Sequence, residues 1–157
     1  MVIQRWQSVF LLIAALLMAF YAFLPVAGFT FGGVSYELSL LGISSLVLDG
    51  GSAITPATVS PEVVSWPLFA LSVLVAVLSL VAIFKFKQMK LQKTLCMACI
   101  ILTVAVIASL LVLVNGWSDL RYYFSNVMPV LAILFYILAI RGITKDQKIL
   151  SSYDRLR

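Results

Sequence analysis

The sequence contains no histidine, only two cysteines and few charged residues. Histidine is the commonest general base and metal ligand, so its absence removes the usual catalytic and metal-binding side chain, and two cysteines cannot form a disulfide framework. Charged residues make up 11% of the 157 residues and hydrophobic residues 63%. A chain with so few polar side chains cannot cover a globule in water. This composition excludes a water-soluble protein and indicates a membrane protein.

Four charge-free stretches have about the 20-residue length that a helix needs to cross a bilayer. They lie at about residues 8–27, 67–84, 95–115 and 122–140. The pattern predicts an all-α membrane protein whose residues 1–143 form a four-transmembrane-helix bundle. The first stretch could also be a cleaved signal peptide, but its 17 uncharged residues from Ser8 to Leu24 exceed the 7 to 15 of a signal core.

The basic residues predict the orientation of the bundle. Ten of the eleven Lys and Arg residues fall on one side of a four-span arrangement, and only Arg121 falls on the other. By the positive-inside rule, both ends of the chain and the loop between the second and third spans are cytoplasmic. Because no groove-reading motif accompanies the basic residues, their pattern favours topology and attraction to anionic lipid over nucleic-acid binding.

The outer loop, residues 28–66, has the pattern of a small β element. Its stretch from Val34 to Leu48 is rich in β-branched and aromatic residues, alternates partly between apolar and polar, and is flanked by glycine pairs. So small a sheet is not stable alone, so we expect it to pack on the outer helix ends or on a partner. The layout, in which one span is followed by a β-containing outer loop and three further spans, resembles that of claudin-like proteins. The Trp and Cys signature of the claudin-like outer loop is missing here.

Residues 144–157 form a predicted cytoplasmic tail. Thr144-Lys145-Asp146-Gln147 has the spacing of a capping box, which predicts that a helix either starts here or continues from the fourth span. Apolar residues recur on one face of this segment, at Ile149, Leu150, Tyr153 and Leu156. Such an amphipathic helix either lies on the inner leaflet or docks onto a partner.

The spans hold few features that indicate chemistry. Asn126 and Pro129 form a local irregularity in the fourth span, which favours a kink and leaves a ligand site as the alternative. Cys96 and Cys99 lack a second pair, so we interpret them as structural thiols. We expect the remaining span hydroxyls to bond to nearby carbonyls or across helices. The sequence therefore predicts no catalytic residues, no metal ligands and no cofactor.

Three cytoplasmic segments carry a family resemblance: MVIQRWQ at residues 1–7, KQMKLQKTLC at residues 87–96 and LAIRGITKDQKILSSYDRLR at residues 138–157. They are similar to domain of unknown function 4293, a family of small four-span inner-membrane proteins of Bacteroidota. Gln147 departs from the family pattern, which usually has glutamate there. The resemblance implies the bacterial inner membrane as the location and no particular activity.

These observations predict a non-catalytic accessory or scaffold subunit of a larger inner-membrane assembly, surrounded by membrane lipids and bound to another membrane or membrane-associated protein. The distinctive residues lie at the cytoplasmic edges, whereas a lone transporter concentrates them within its spans. The predicted partner contacts are Arg5, Lys90, Lys93, Arg141, Lys145, Asp154, Arg155 and Arg157. One alternative is a carrier or binder of a lipidic or apolar small molecule, with a cavity near Asn126. Another is a sensor that acts through the outer loop.

Overall fold

The structure is a computed structural model. It describes residues 6–31, 34–46, 57–58, 65–85, 88–115 and 120–154. Its four long helices are α1 Trp6–Phe23, α2 Ser65–Phe84, α3 Met89–Val114 and α4 Val127–Asp154. All four are long and apolar enough to cross a membrane. The prediction of a four-helix membrane bundle is confirmed.

The helices form a ring in which α1 packs beside α2 and α4, and α3 closes the ring between them. Large side chains fill its centre, among them Leu11, Met18, Val75 and Tyr136, each of which is fully buried. Lipid tails are as apolar as these side chains, so the bundle is held by close packing and interhelical hydrogen bonds and gains little from the hydrophobic effect.

A small antiparallel sheet lies at the end of the bundle where α1 ends and α2 begins. Its strands are β1 Pro25–Phe31, β2 Val34–Ser39, β3 Gly42–Leu46, β4 Ala57–Thr58 and β5 Arg121–Tyr122, in the order β4-β3-β2-β1-β5. Phe29 pairs with Tyr36 across β1 and β2, and their rings stack with centroids 5.2 Å apart. We call this end of the molecule the sheet end.

One face of the sheet packs on the helices. Leu38 and Leu40 are buried, and they belong to a cluster with Tyr21 of α1 and Leu110 of α3. Ser39 between them is less buried, as the alternating sequence pattern predicts, whereas Tyr36 of β2 is only half-buried. The helices thus cover the apolar side of a sheet that could not stand alone in water, which is the first of the two alternatives that the sequence left open.

Two predicted span limits need correction. The first span was extended to Ala27, but α1 ends at Phe23, and Pro25 already lies in β1. The fourth span was started at Tyr122, which belongs to β5; a 3₁₀ turn, Phe124–Asn126, follows before α4 begins. Strand residues as apolar as those of a helix cannot be separated from it by hydropathy alone.

The predicted tail is a continuation of α4, so the alternative of a separate helix starting near residue 144 is wrong. The Thr144 hydroxyl donates a hydrogen bond to the Ile140 carbonyl at 2.9 Å, which is the bond of a residue inside a helix. The capping-box interpretation fails because the preceding residues are already helical. Of the apolar tail residues, Ile149 is about half exposed, and the side chains of the others lie outside the described part of the chain.

Candidate functional site at the basic end of the bundle

The end of the bundle opposite the sheet carries the described lysines, and we call it the basic end. These lysines are Lys85 after α2, Lys90 and Lys93 in α3, and Lys145 and Lys148 in α4. Here Gln7 of α1 is almost fully buried, and its Nε2 donates to Oδ2 of Asp146 in α4 at 2.5 Å. A bond from an amide to a carboxylate is charge-assisted and is stronger than a bond between neutral groups. It joins the first turn of α1 to a position near the end of the chain.

Gly142 of α4 makes room for this bond. A Cβ atom on Gly142 would lie only 2.7 Å from Cγ of Gln7, closer than two carbon atoms approach without strain. Glycine lets the backbone of α4 pass directly over the Gln7 side chain, as small residues do at helix crossings in membranes. We call Gln7, Gly142 and Asp146 the basic-end junction.

The basic-end junction links two of the three segments that carry the family resemblance. Gln7 belongs to the first segment, and Gly142 and Asp146 belong to the last. The sequence predicted partner contacts in these segments and did not predict the bond between them. Gln7 is neutral and lies 135 residues before Gly142, so neither charge nor periodicity indicated that the two residues are in contact.

Four of the predicted contact residues have described side chains. Lys90 in the first turn of α3 is exposed and Lys93 is half-buried, while Arg141 and Lys145 of α4 are exposed. Asp154 is the last residue of α4, and nothing is described of its side chain. Arg5, Arg155 and Arg157 lie outside the described residues. The structure therefore places the four described residues at one end, on two helices that neighbour each other.

A buried glutamine also lies near this end, on the inward face of α3. Gln92 is 1% exposed, and its Oε1 has no hydrogen-bond partner among the described residues. It lies one turn before Cys96, which is buried and free like Cys99. Gln92 is the described group whose polar atom is left without a partner in this apolar setting.

Asn126 serves the fold at the sheet end. Its Nδ2 donates to the Val26 carbonyl at 2.6 Å, and the Tyr21 hydroxyl lies 3.5 Å from its Oδ1. The neighbouring Ser125 hydroxyl donates to the Pro25 carbonyl. Pro129 is the third residue of α4, where a backbone N–H has no partner within the helix, so it costs no helical bond. The predicted irregularity thus fastens β1 to the start of α4, and its use as a ligand site stays a prediction.

A second bond at the sheet end joins the sheet to the segment before α4. The Tyr123 hydroxyl donates to Oε1 of Glu37 in β2 at 2.8 Å. Tyr123 also lies over Gly28 of β1, where a Cβ atom would come within 3.1 Å of its hydroxyl oxygen. The hydrogen bond to Glu37, with smaller contributions from burial and from the charge of that carboxylate, raises the pKa of Tyr123.

We expect the Glu37→Gln variant to lower the pKa of Tyr123 toward its ordinary value, because the neutral amide cannot hold the phenol proton as the carboxylate does. Since the pKa is raised in the folded state, this bond stabilises the fold below the ordinary tyrosine pKa near 10, and the contribution is lost as the pH rises through the folded value. Tyrosinate absorbance against pH measures the shift, with Tyr123→Phe identifying the signal. An identical titration in the variant and the wild type would contradict the assignment.

The centre of the bundle contains a polar cluster from three helices. The Ser79 hydroxyl of α2 donates to the Val75 carbonyl at 2.8 Å and lies 2.5 Å from the Tyr136 hydroxyl of α4 and 3.8 Å from the Cys99 sulfur of α3. Because the one Ser79 proton points to the carbonyl, the Tyr136 hydroxyl is the donor toward Ser79. Thr103 likewise donates to the Cys99 carbonyl at 2.7 Å. The expectation that span hydroxyls bond locally or across helices is confirmed for these residues.

A groove of about 470 Å³ lies between α2 and α3 in the half of the bundle nearer the sheet. Its lining residues are Pro67, Leu68, Leu71, Ser109, Val112 and Leu113. Neither Asn126 nor Pro129 lines it, so this groove differs from the cavity that the sequence predicted for a carrier. Among the described residues, no three His, Cys, Asp or Glu side chains come together as a metal site.

The comparison with known families matches nearly the whole chain. A family model described as Domain of unknown function (DUF4293) covers residues 3–156. No curated protein matches the chain. The family match agrees with the resemblance of the three segments and with the four apolar helices that the structure describes. The chain is an integral membrane protein with four membrane-spanning helices, and it belongs to the DUF4293 family.

Proposed function

We propose that the protein is a non-catalytic accessory or scaffold subunit of a larger assembly in the bacterial inner membrane. In this proposal the basic end faces the cytoplasm, as the positive-inside rule requires, and the sheet end faces the periplasm. The partner is another inner-membrane or membrane-associated protein with an acidic surface. The bundle supplies a fixed frame, and its basic end supplies the contact.

The observation that supports this role is the way in which the basic end is fixed. The Gln7–Asp146 bond and the close approach at Gly142 tie α4 to α1 at the same level as the exposed cations. Cations on a fixed frame lose less conformational freedom on binding than cations on a loose tail, which favours recognition over diffuse attraction. Lys90 and Lys93 extend this surface onto the first two turns of α3, before the apolar part of that helix begins.

A photo-reactive residue at position 90 tests the proposal in the full chain. After purification in gentle detergent, we expect a stoichiometric membrane companion that cross-links from position 90. Lys90→Glu should weaken its retention, because charge reversal at an acidic interface changes attraction to repulsion. Arg121→Glu is the matched control, since Arg121 is also exposed and lies at the sheet end.

Two results would contradict the accessory role. One is recovery of the chain as a lone monomer, with no companion in stoichiometric amount. The other is a companion whose retention falls with Arg121→Glu and not with Lys90→Glu, which would move the contact to the sheet end.

The groove between α2 and α3 supports a second candidate, a carrier or binder of an apolar small molecule. Its volume of about 470 Å³ falls in the range of small-molecule sites, and its walls are almost entirely apolar. A carrier should release an apolar ligand on solvent extraction, and Ser109→Trp, which fills the groove, should abolish that ligand. Ile101→Trp is the control, because Ile101 is exposed on α3 and does not line the groove. Equal ligand content in both variants would exclude this candidate.

A further inference from the structure

The outward face of α4 changes character near the basic end. Exposed apolar side chains occupy this face through the span, at Leu134, Ile137 and Leu138. Arg141, Lys145 and Lys148 continue the same face, since at 100° per residue all six positions fall within an arc of about 100°. All three basic side chains are exposed. The face that meets acyl chains through the span therefore becomes basic where the apolar part of the helix ends.

A hollow accompanies this change. It has a volume of about 300 Å³ and is lined by Ile140, Arg141, Thr144, Lys145 and Lys148. The Thr144 hydroxyl uses its proton on the Ile140 carbonyl, which leaves the cations as the donors in this hollow. The walls thus combine one apolar residue on the span side with three cations.

Arg141 and Lys145, two of the three cations of this hollow, have no described side-chain partner. Asp146 is the nearest acid along α4, and its carboxylate accepts the bond from Gln7 on the inward side. Within the described ranges, the side chain of neither Arg141 nor Lys145 has a hydrogen bond or an ion pair. The basic-end junction therefore engages the Asp146 carboxylate on a different face of α4 from Arg141 and Lys145.

We infer that this hollow binds the phosphate headgroup of an anionic phospholipid, whose acyl chains lie along Leu134, Ile137 and Leu138. Three features of the face match such a lipid: cations for the phosphate, a hollow for the headgroup and an apolar surface for the chains. Arginine can hold two phosphate oxygens at once, and lysine adds a point charge. Arg141 and Lys145 are also predicted partner contacts, but the inference concerns the lipid-facing side of α4 and its test needs no protein partner.

Native mass spectrometry of the full chain, titrated with phosphatidylglycerol or with phosphatidylcholine, tests the inference. The site variant replaces Arg141, Lys145 and Lys148 with glutamine. The control variant replaces Lys85, Lys90 and Lys93 with glutamine, which removes the same charge from the same end of the bundle. Because each cation near an anionic lipid is worth about 1 kcal/mol, we expect the site variant to bind phosphatidylglycerol about a hundredfold more weakly and the control variant to bind it nearly as the wild type does.

Three outcomes would overturn the inference. Equal weakening in both variants would mean diffuse attraction, and equal binding of the two lipids would mean that no anionic headgroup is recognised. Displacement of phosphatidylglycerol by inorganic phosphate would assign the hollow to free phosphate. If the triple variant is not recovered in folded form, Lys145→Gln and its control Lys93→Gln provide the same comparison with one charge each.

Discussion

Gly142→Ala should lower the free energy of unfolding by about 1–3 kcal/mol, the usual cost of overpacking a well-packed site. The new methyl group would lie 2.7 Å from Cγ of Gln7 and would force α4 away from α1. Displacement of α4 would also lengthen the bond from Gln7 to Asp146. The loss is expected even though alanine is the better helix former by about 1 kcal/mol. Thermal or denaturant unfolding in detergent measures the change.

A second substitution separates this clash from a general intolerance at position 142. In a Gln7→Ala background the obstructing Cγ is gone, so Gly142→Ala should become neutral or stabilising. The two substitutions should therefore be coupled by more than 1 kcal/mol, as expected only for residues in contact. Additive effects of the two substitutions would show that α1 and α4 do not meet at this point.

Ser79→Ala is expected to destabilise the bundle by about 1–3 kcal/mol, because it leaves the Tyr136 hydroxyl buried without its acceptor. Tyr136 is fully buried, so no lipid headgroup or water replaces that acceptor. Tyr136→Phe removes the same bond but leaves Ser79 bonded to the Val75 carbonyl. It should therefore reduce stability less, by about 0.6 kcal/mol, the average for hydrogen bonds between membrane helices. Unfolding in detergent again provides the measurement.

The double variant is the control for this bond. With Ser79→Ala and Tyr136→Phe together no polar atom of the pair is left unsatisfied, so part of the stability lost in Ser79→Ala should return. Ser109→Ala offers a matched serine on an exposed face, bonded only to carbonyls of its own helix, and should change stability little. If Ser79→Ala proved as harmless as Ser109→Ala, the cluster would have no stabilising role.

The helices could be predicted from composition because hydropathy depends on each residue alone. The second span was placed at residues 67–84, and α2 runs over Ser65–Phe84. The first span was placed too long because Pro25, Val26 and Ala27 continue the uncharged stretch of the helix before them. After α1 ends at Phe23, Ala27 pairs with Tyr122, a contact between residues far apart in the sequence that hydropathy cannot show.

The candidate site was predicted only in part, for the same reason. Charge and spacing identified the exposed cations Lys90, Arg141 and Lys145. They could not identify the bond between Gln7 and Asp146, which depends on how α1 crosses α4. Gly142 in a helix is a weak signal alone, and only the crossing explains it. Local patterns predicted which residues lie at the surface, whereas the contacts between distant segments needed the structure.

Cysteine accessibility tests the central claim most directly, namely that the sheet end and the basic end lie on opposite sides of the membrane with the basic end inside the cell. Leu41→Cys places a thiol on an exposed turn of the sheet, and Lys90→Cys places one at the basic end. The native Cys96 and Cys99 are fully buried, so the wild type provides the background labelling. With a membrane-impermeant maleimide, we expect Leu41→Cys to react in intact cells and Lys90→Cys to react only after the inner membrane is opened. Labelling of Lys90→Cys in intact cells, with Leu41→Cys protected, would contradict the claim.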